Sequence, residues 1–451
     1  MQAVTPLIIL MIILFLLFSV LGKAKHKNMM NPVTVFCGIW TCIIFGYSFR
    51  VDGLYQVSVS SLLLILTGVV MFTAGAFLAN HILGSRKPAK SGSRLETISH
   101  PPHYMIILIL NIISLVFLVG LAVNTVQLLV SGKSFAYIHK YYNQTSGTVG
   151  ASRSYQNMIT WFVWPLMDAS LTTLAAVLHS DRSGSRTRRW CIVLIFTNLL
   201  MFTVITGKRA HLGYLVLYIV AAYFLKGKKL KLKRGTKILI LLAGAGILWI
   251  MNYISVDRDG TSLLKTLYIY LVGCVPHLSQ KLDMLSFKPR GIASVYGVYQ
   301  PVMLMMNRLL HSSTIDALRS SMSSVIAFTQ TRVEIAPGQT FNAFLSPFFY
   351  FYLDGGMIGN ILFSALFGFV SAAFYQRWLQ ENSYRSMVRY LLVLFTLVMS
   401  MVRIQYFQMR FVLSFFYVFL FFLKAPRRRI QENVTDKRTA DLKTMDKGQY
   451  E

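Results

Sequence analysis

Apolar runs long enough to cross a bilayer recur along this chain, and the segments joining them alternate between strongly basic and nearly neutral. A span needs about 20 mostly apolar residues to cross about 30 Å of hydrocarbon, with each backbone polar group satisfied inside its own helix. About eleven segments meet that requirement: 4–22, 32–49, 57–82, 104–130, 158–179, 190–206, 210–225, 237–252, 357–376, 387–404 and 409–423. Hydrophobic residues make up 55% of the chain and charged residues only 14%, a balance that places it among integral membrane proteins. The expected fold is an all-α polytopic membrane protein. Residues 1–424 form one transmembrane domain, and the polar, basic tail 425–451 is expected to be disordered.

Lys and Arg accumulate on the cytoplasmic side of membrane proteins. The basic connections are Lys23/Lys25/Lys27, Arg86 to Arg94, Arg182 to Arg189, Lys226 to Lys237, Arg377/Arg385/Arg389 and the tail from Lys424. Together they carry 29 of the 45 basic residues, and they fall on every second connection. An odd number of spans follows, with the N-terminus outside and the C-terminus inside. The first span has its basic cluster behind it and no small-residue cleavage site, so it reads as a retained anchor and not as a signal peptide. The net charge of +29 is spread over short juxtamembrane loops, which suits anionic lipid headgroups as partners and does not suit nucleic acid.

The cysteines are Cys37 and Cys42 within one span, Cys191 at an inner helix end, and Cys274 outside. They offer no outer pair for a disulfide and no zinc-like Cys/His spacing. No metal and no cofactor are expected.

Two outer segments exceed turn length, about 131–157 and about 253–356. Within the second, Ser262–Val272 has helically spaced apolar residues suited to the outer interface, and 292–310 is apolar but interrupted by Pro301 and Arg308. Outer arginines next to spans run against the positive-inside bias, so a set of them needs a reason. That set includes Arg209, Arg258, Arg290, Arg308, Arg319, Arg332, Arg403 and Arg410, joined by Lys208. Any single one can snorkel to a lipid phosphate. As a set they suit a lipid-linked phosphate or diphosphate, which the guanidinium fork matches bidentately.

Three clusters stand out: Thr206–His211, a tight turn carrying Lys208 and Arg209; Ser255–Asp259, carrying Asp257 and Arg258; and Asn342–Gly359, where an aromatic belt with Tyr352 leads to Asp354 and two glycines. In the third, Asn342…Tyr350-Phe351-Tyr352-Leu353-Asp354-Gly355-Gly356-Met357-Ile358-Gly359 resembles the run Asn-x-aromatic-rich-Tyr-x-Asp-x-Gly-x-x-Gly of the Wzy-type O-antigen and capsule repeat-unit polymerases. Gly207-Lys208-Arg209 is similar to their Gly-x-Arg turn, and the likeness covers about 104–424.

The resemblance implies a GT-C-like architecture in a bacterial cytoplasmic membrane. It implies metal-independent glycosyl transfer at the outer face, which polymerises undecaprenyl-diphosphate-linked oligosaccharide into O-antigen, capsule or exopolysaccharide. Donor and acceptor are both lipid-linked, and a flippase and a chain-length regulator are implied as possible partners. Lys208, Arg209, Arg258, Arg290, Arg332, Arg403, Arg410 and Tyr352 are then expected to bind the diphosphate and substrate. Asp354, Asp257, His277 and His311 are candidates for the general base. For His277 a structural role weighs more heavily, and Asp354 equally suits a helix cap. The competing readings are an O-antigen ligase, which shares the donor, and a non-enzymatic flippase. Transporters place charge along a central path, whereas here Asp168 is the only acid deep in an expected span.

Overall fold

The computed structural model describes residues 4–84, 101–133, 137, 157–178, 186–206, 210–226, 263–342 and 345–423. Seven helices among them are long and apolar enough to cross a membrane. These are α1 (Val4–His26), α3 (Val59–Gly84), α4 (Tyr104–Val130), α5 (Trp164–Leu178, preceded by a π-helical turn Ile159–Val163), α6 (Arg186–Thr206), α12 (Pro347–Glu381) and α13 (Tyr384–Val398, continued by the 3₁₀ turn Met399–Met401). Three shorter apolar helices join them: α2 (Pro32–Ser48), α7 (Ala210–Leu225) and α14 (Met409–Phe421). Ten of the expected spans therefore have a helix at their position, and the remaining one, 237–252, lies outside the described residues.

Among the described residues the fold is helical apart from one small hairpin in the long connection. That connection holds α8 (Leu263–Val272), α9 (Cys274–Asp283), α10 (Tyr296–Leu310) and α11 (Ser313–Gln330), followed by β1 (Val333–Ala336) paired antiparallel with β2 (Gln339–Phe341). Large apolar side chains such as Ile13, Val116, Val204 and Leu362 stand exposed on the long helices, as lipid-facing residues do.

Without a hydrophobic force to separate helix from lipid, association in a bilayer relies on close backbone approach at small residues and on polar contacts. The α3–α12 pair, the most extensive in the protein, uses both. A Cβ on Gly75 would stand 1.9 Å from the Ala365 carbonyl oxygen, and one on Gly368 would stand 1.9 Å from that of Phe72. Along the same seam Asn360 donates to Leu64 O at 2.9 Å and Gln376 to Asn80 Oδ1 at 2.7 Å. Across α4, α5 and α6, Asn198 donates to Asn111 O at 2.9 Å and Asn111 to Ser170 at 3.1 Å.

Two hydrophobic cores result. The first gathers α1–α3, α8, α9, the hairpin and the start of α12; the second gathers α4–α7, the end of α12, α13 and α14. Tyr406, between α13 and α14, packs against both.

Side-chain contacts sort the connections into two ends. Asn28 donates to Leu225 O, Lys226 to Ala176 O, Tyr390 to Met30 O and Gln380 to Leu83 O. These bonds bring the connections after α1, α3, α5, α7 and α12 to one end, and those are the basic ones. At the opposite end Tyr55 N–H bonds Ile335 O, Ser58 N–H bonds Ser279, and the start of α10 packs on the start of α14. Lys226 and Leu263, on either side of residues 227–262, belong to opposite ends.

Two details differ from the sequence expectation. The helix expected from 357 starts at Pro347, with a break at Gly355–Gly356 where Gly356 takes φ 62°. The helix expected to reach 404 stops at Val398, and residues 399–408 form two short 3₁₀ turns with irregular backbone between them. That irregular stretch carries Arg403 and leads directly to Arg410.

Candidate functional site

Arg410 lies in the first turn of α14 with its guanidinium carbon 3.6 Å from the centroid of the Trp164 ring, a stacked cation–π arrangement. Pro165 follows Trp164 and cannot donate to the turn before it, and a π-helical turn at Ile159–Val163 accommodates the disturbance. The indole N–H of Trp164 donates to His211 Nε2 in a short hydrogen bond. His211 Nε2 is also 3.9 Å from Oδ1 of Asp168, which lies four residues beyond Trp164 and so one turn along the same face of α5. Tyr214, one turn along α7, meets the His211 ring at 5.2 Å. The charges of Arg410, Asp168 and Arg403 all bear on Tyr214, and Arg403 bears on Arg410 and on Tyr350.

The group sits at the end opposite the basic connections, where the two cores meet. Asp168 is 6% exposed and His211 2%, while Arg403 and Arg410 are half-buried. A partly buried cation thus stacks on an indole that is bonded to a buried imidazole, with a buried acid beside the imidazole. A guanidinium in a poorly solvated place loses hydration, so the arrangement favours an anion that would relieve that cost. A planar indole beneath one guanidinium fixes its orientation before any ligand arrives, which is the form of preorganisation that stabilises developing negative charge.

The expected site residues distribute unevenly. Arg403 and Arg410 come together. Lys208, Arg209, Asp257 and Arg258 lie outside the described residues; the first two immediately precede Ala210, where α7 begins. Arg290 is exposed and its backbone N–H donates to Ser321 Oγ at 2.7 Å. Arg332 is exposed before β1, and Tyr352 packs against the first core.

Among the candidate bases, His277 is fully buried and edge-on to Phe341 at 5.5 Å. His311 is exposed in a left-handed conformation at the end of α10, with Nδ1 3.1 Å from Asn307 O. The Asp354 carboxylate accepts the backbone N–H of Ala293 at 2.6 Å and that of Ser294 at 2.9 Å, one on each oxygen. It caps the turn leading into α10 and not the helix that follows it, as the sequence suggested.

Trp164, Asp168, His211 and Tyr214 were not assigned to the site from the sequence. Their signals were present in part: Asp168 as the single deep acid, His211 at the edge of the Thr206–His211 cluster, and Trp164 four residues before Asp168. What the sequence could not supply was the pairing of α5 with α7 and α14. Among the described residues, no group of three or more His, Cys, Asp or Glu could hold a metal ion. Compared with protein-family models, with curated proteins and with solved structures, the chain matches none.

Proposed function

We propose that the protein is a membrane-embedded glycosyltransferase that polymerises oligosaccharide units carried on a polyprenyl diphosphate, acting at the membrane face opposite its basic connections. The observation that carries this reading is Arg410 stacked on Trp164 at the junction of the two cores, with Asp168 one turn further along the helix of Trp164 and Arg403 in the irregular stretch that leads to Arg410. The resemblance of Asn342–Gly359 to the Wzy-type polymerases supports the same reading, as does the alternation of basic connections. An eleventh span at 237–252 and a GT-C-like arrangement belong to this proposal.

In the proposed reaction an acceptor hydroxyl oxygen bonds to the anomeric carbon of the donor. The bond from that carbon to the diphosphate oxygen breaks, and the diphosphate leaves with the electron pair. Arg403 and Arg410, with Lys208 and Arg209 as further candidates, compensate the charge that develops there. The hydroxyl proton passes to a base, for which the exposed His311 and Asp257 are retained.

The test is elongation of a polyprenyl-diphosphate-linked repeat unit by purified protein in nanodiscs without an ion gradient. A ladder of products that disappears in Arg403→Ala and Arg410→Ala is expected; no elongation by the wild-type protein would refute the reading. One observation favours a second reading, a carrier for lipid-linked oligosaccharide. The buried Asp168–His211 pair is the kind of intramembrane ionisable group that transport pathways use. Gradient-dependent movement of the lipid-linked substrate with no bond formation would select that alternative.

A further inference from the structure

We propose that Asp354 is a positioning residue that holds the arginine-bearing stretch 399–410 in place through the start of α10, and that it takes no proton in the reaction. The inference rests on the proposed role of Arg403 and Arg410 but adds a role that the site itself does not contain.

Tyr350 and Asp354 lie four residues apart on α12, hence on one face of that helix. Both reach the same neighbour by different routes. Tyr350 meets the ring of Phe407 at 4.9 Å, and Phe407 is the last residue of the 3₁₀ turn between Arg403 and Arg410. Asp354 grips the backbone amides of Ala293 and Ser294 at 2.6 and 2.9 Å. Tyr296, just after them, also meets the Phe407 ring, at 5.7 Å. Gly297 passes so near the Gln408–Met409 peptide that a Cβ on it would stand 2.4 Å from the Gln408 carbonyl carbon. Phe407 is thus held between α12 and α10, and Asp354 is the bond that joins those two elements.

The backbone on the other side of Asp354 offers no such restraint. It is followed by the break at Gly355–Gly356, where a Cβ would meet nothing within 4 Å. With each oxygen holding a backbone N–H donor, the orientation of the carboxylate is fixed. It is well placed to transmit the position of α12 to residues 399–410.

Amide hydrogen exchange of the full chain in nanodiscs tests this without any substrate. Asp354→Ala should raise exchange at 293–296 and also at 405–411. Asp354→Asn keeps one acceptor oxygen but turns its NH2 group toward the second backbone donor, so exchange at 405–411 should rise to a level between wild type and Asp354→Ala. Ala293→Pro removes one of the two donors while leaving the carboxylate in place. Ile292 is already extended and proline suits the first residue of a helical turn, so this variant cuts the link from the other side.

It should raise exchange at 405–411 as well, which covers the case in which Asp354→Ala does not accumulate. In elongation assays Asp354→Ala and Ala293→Pro should raise KM about tenfold or more, as expected for loss of a charge-assisted hydrogen bond, with a smaller rise and a retained kcat in Asp354→Asn. Unchanged exchange at 405–411 in both link-cutting variants would overturn the proposal, whatever reaction the protein catalyses. So would a loss of kcat of about a hundredfold or more in Asp354→Asn together with loss of a pH limb, since that is the mark of a proton acceptor. If the wild-type protein elongates nothing, the glycosyltransferase reading falls while the exchange result still stands.

Discussion

Arg410 and Lys281 show how differently one positive charge can be housed. Arg410 stacks flat on Trp164, a contact available to a planar, delocalised cation and poorly available to an ammonium. Arg410→Lys should therefore weaken binding of a polyprenyl diphosphate by about tenfold, close to the loss in Trp164→Leu, as measured by titration in nanodiscs. Equal binding in Arg410→Lys and wild type would mean that charge alone is used. Lys281, on α9, is fully buried. Its Nζ donates to Phe328 O at 2.7 Å and lies 4.5 Å from the Phe328 ring centroid. Burial pushes its ammonium below the ordinary lysine value. The folded state then binds that proton less tightly than the unfolded chain does. The penalty is complete at neutral pH and shrinks as pH rises toward the unfolded value of about 10.5. Lys281→Met should stabilise the protein by about 1 kcal/mol at pH 7, with the gain fading above pH 10. The Phe328 carbonyl keeps the N–H of Thr331 as a partner in that variant, at 3.3 Å, so no buried acceptor is left bare. Thermal melting in detergent across pH reads both the gain and its loss.

At the scale of elements, hydropathy and spacing carry most of the information and packing supplies the rest. Runs such as 4–22 and 104–130 could be read as helices because each satisfies its own backbone and needs only apolar side chains around it. The helical spacing in Ser262–Val272 likewise became α8. What spacing could not reveal was where a helix stops for the benefit of a neighbour. The stretch 387–404 is mostly apolar, yet α13 ends at Val398 and the residues after it, among them Tyr406, pack where the two cores meet. Nor could it reveal that Asp354 would cap a turn about sixty positions earlier in the chain. The glycines of α3 and α12 were equally silent until the two helices met. Their close approach makes a strong prediction: Gly368→Ala should cost about 2 kcal/mol or more, because the clash is with backbone and neither helix can yield locally. The same change at Gly120, whose Cβ would meet nothing within 4 Å, should cost far less and serves as the control. Comparable melting temperatures for the two variants would show that the seam is looser than described.

For the whole molecule, the decisive property is that charge and site occupy opposite ends. Basic connections draw together at one end through bonds such as Lys226 to Ala176 O and Tyr390 to Met30 O. Arg403, Arg410 and the long connection with α10 and α11 lie at the other. Translocation energetics keep juxtamembrane Lys and Arg on the cytoplasmic side, so this separation predicts that the arginine pair faces outward. Cysteine accessibility can check it directly. In a Cys42→Ser background the remaining native cysteines are buried and give little labelling. Ser320→Cys, exposed on α11, should then react with a membrane-impermeant maleimide in intact cells. Ala24→Cys, exposed beside Lys23 and Lys25 at the basic end, should react only after permeabilisation. The opposite pattern would turn the arginine pair toward the cytoplasm and rule out assembly of a surface polymer, because donor and acceptor would then have to meet on the wrong side of the bilayer.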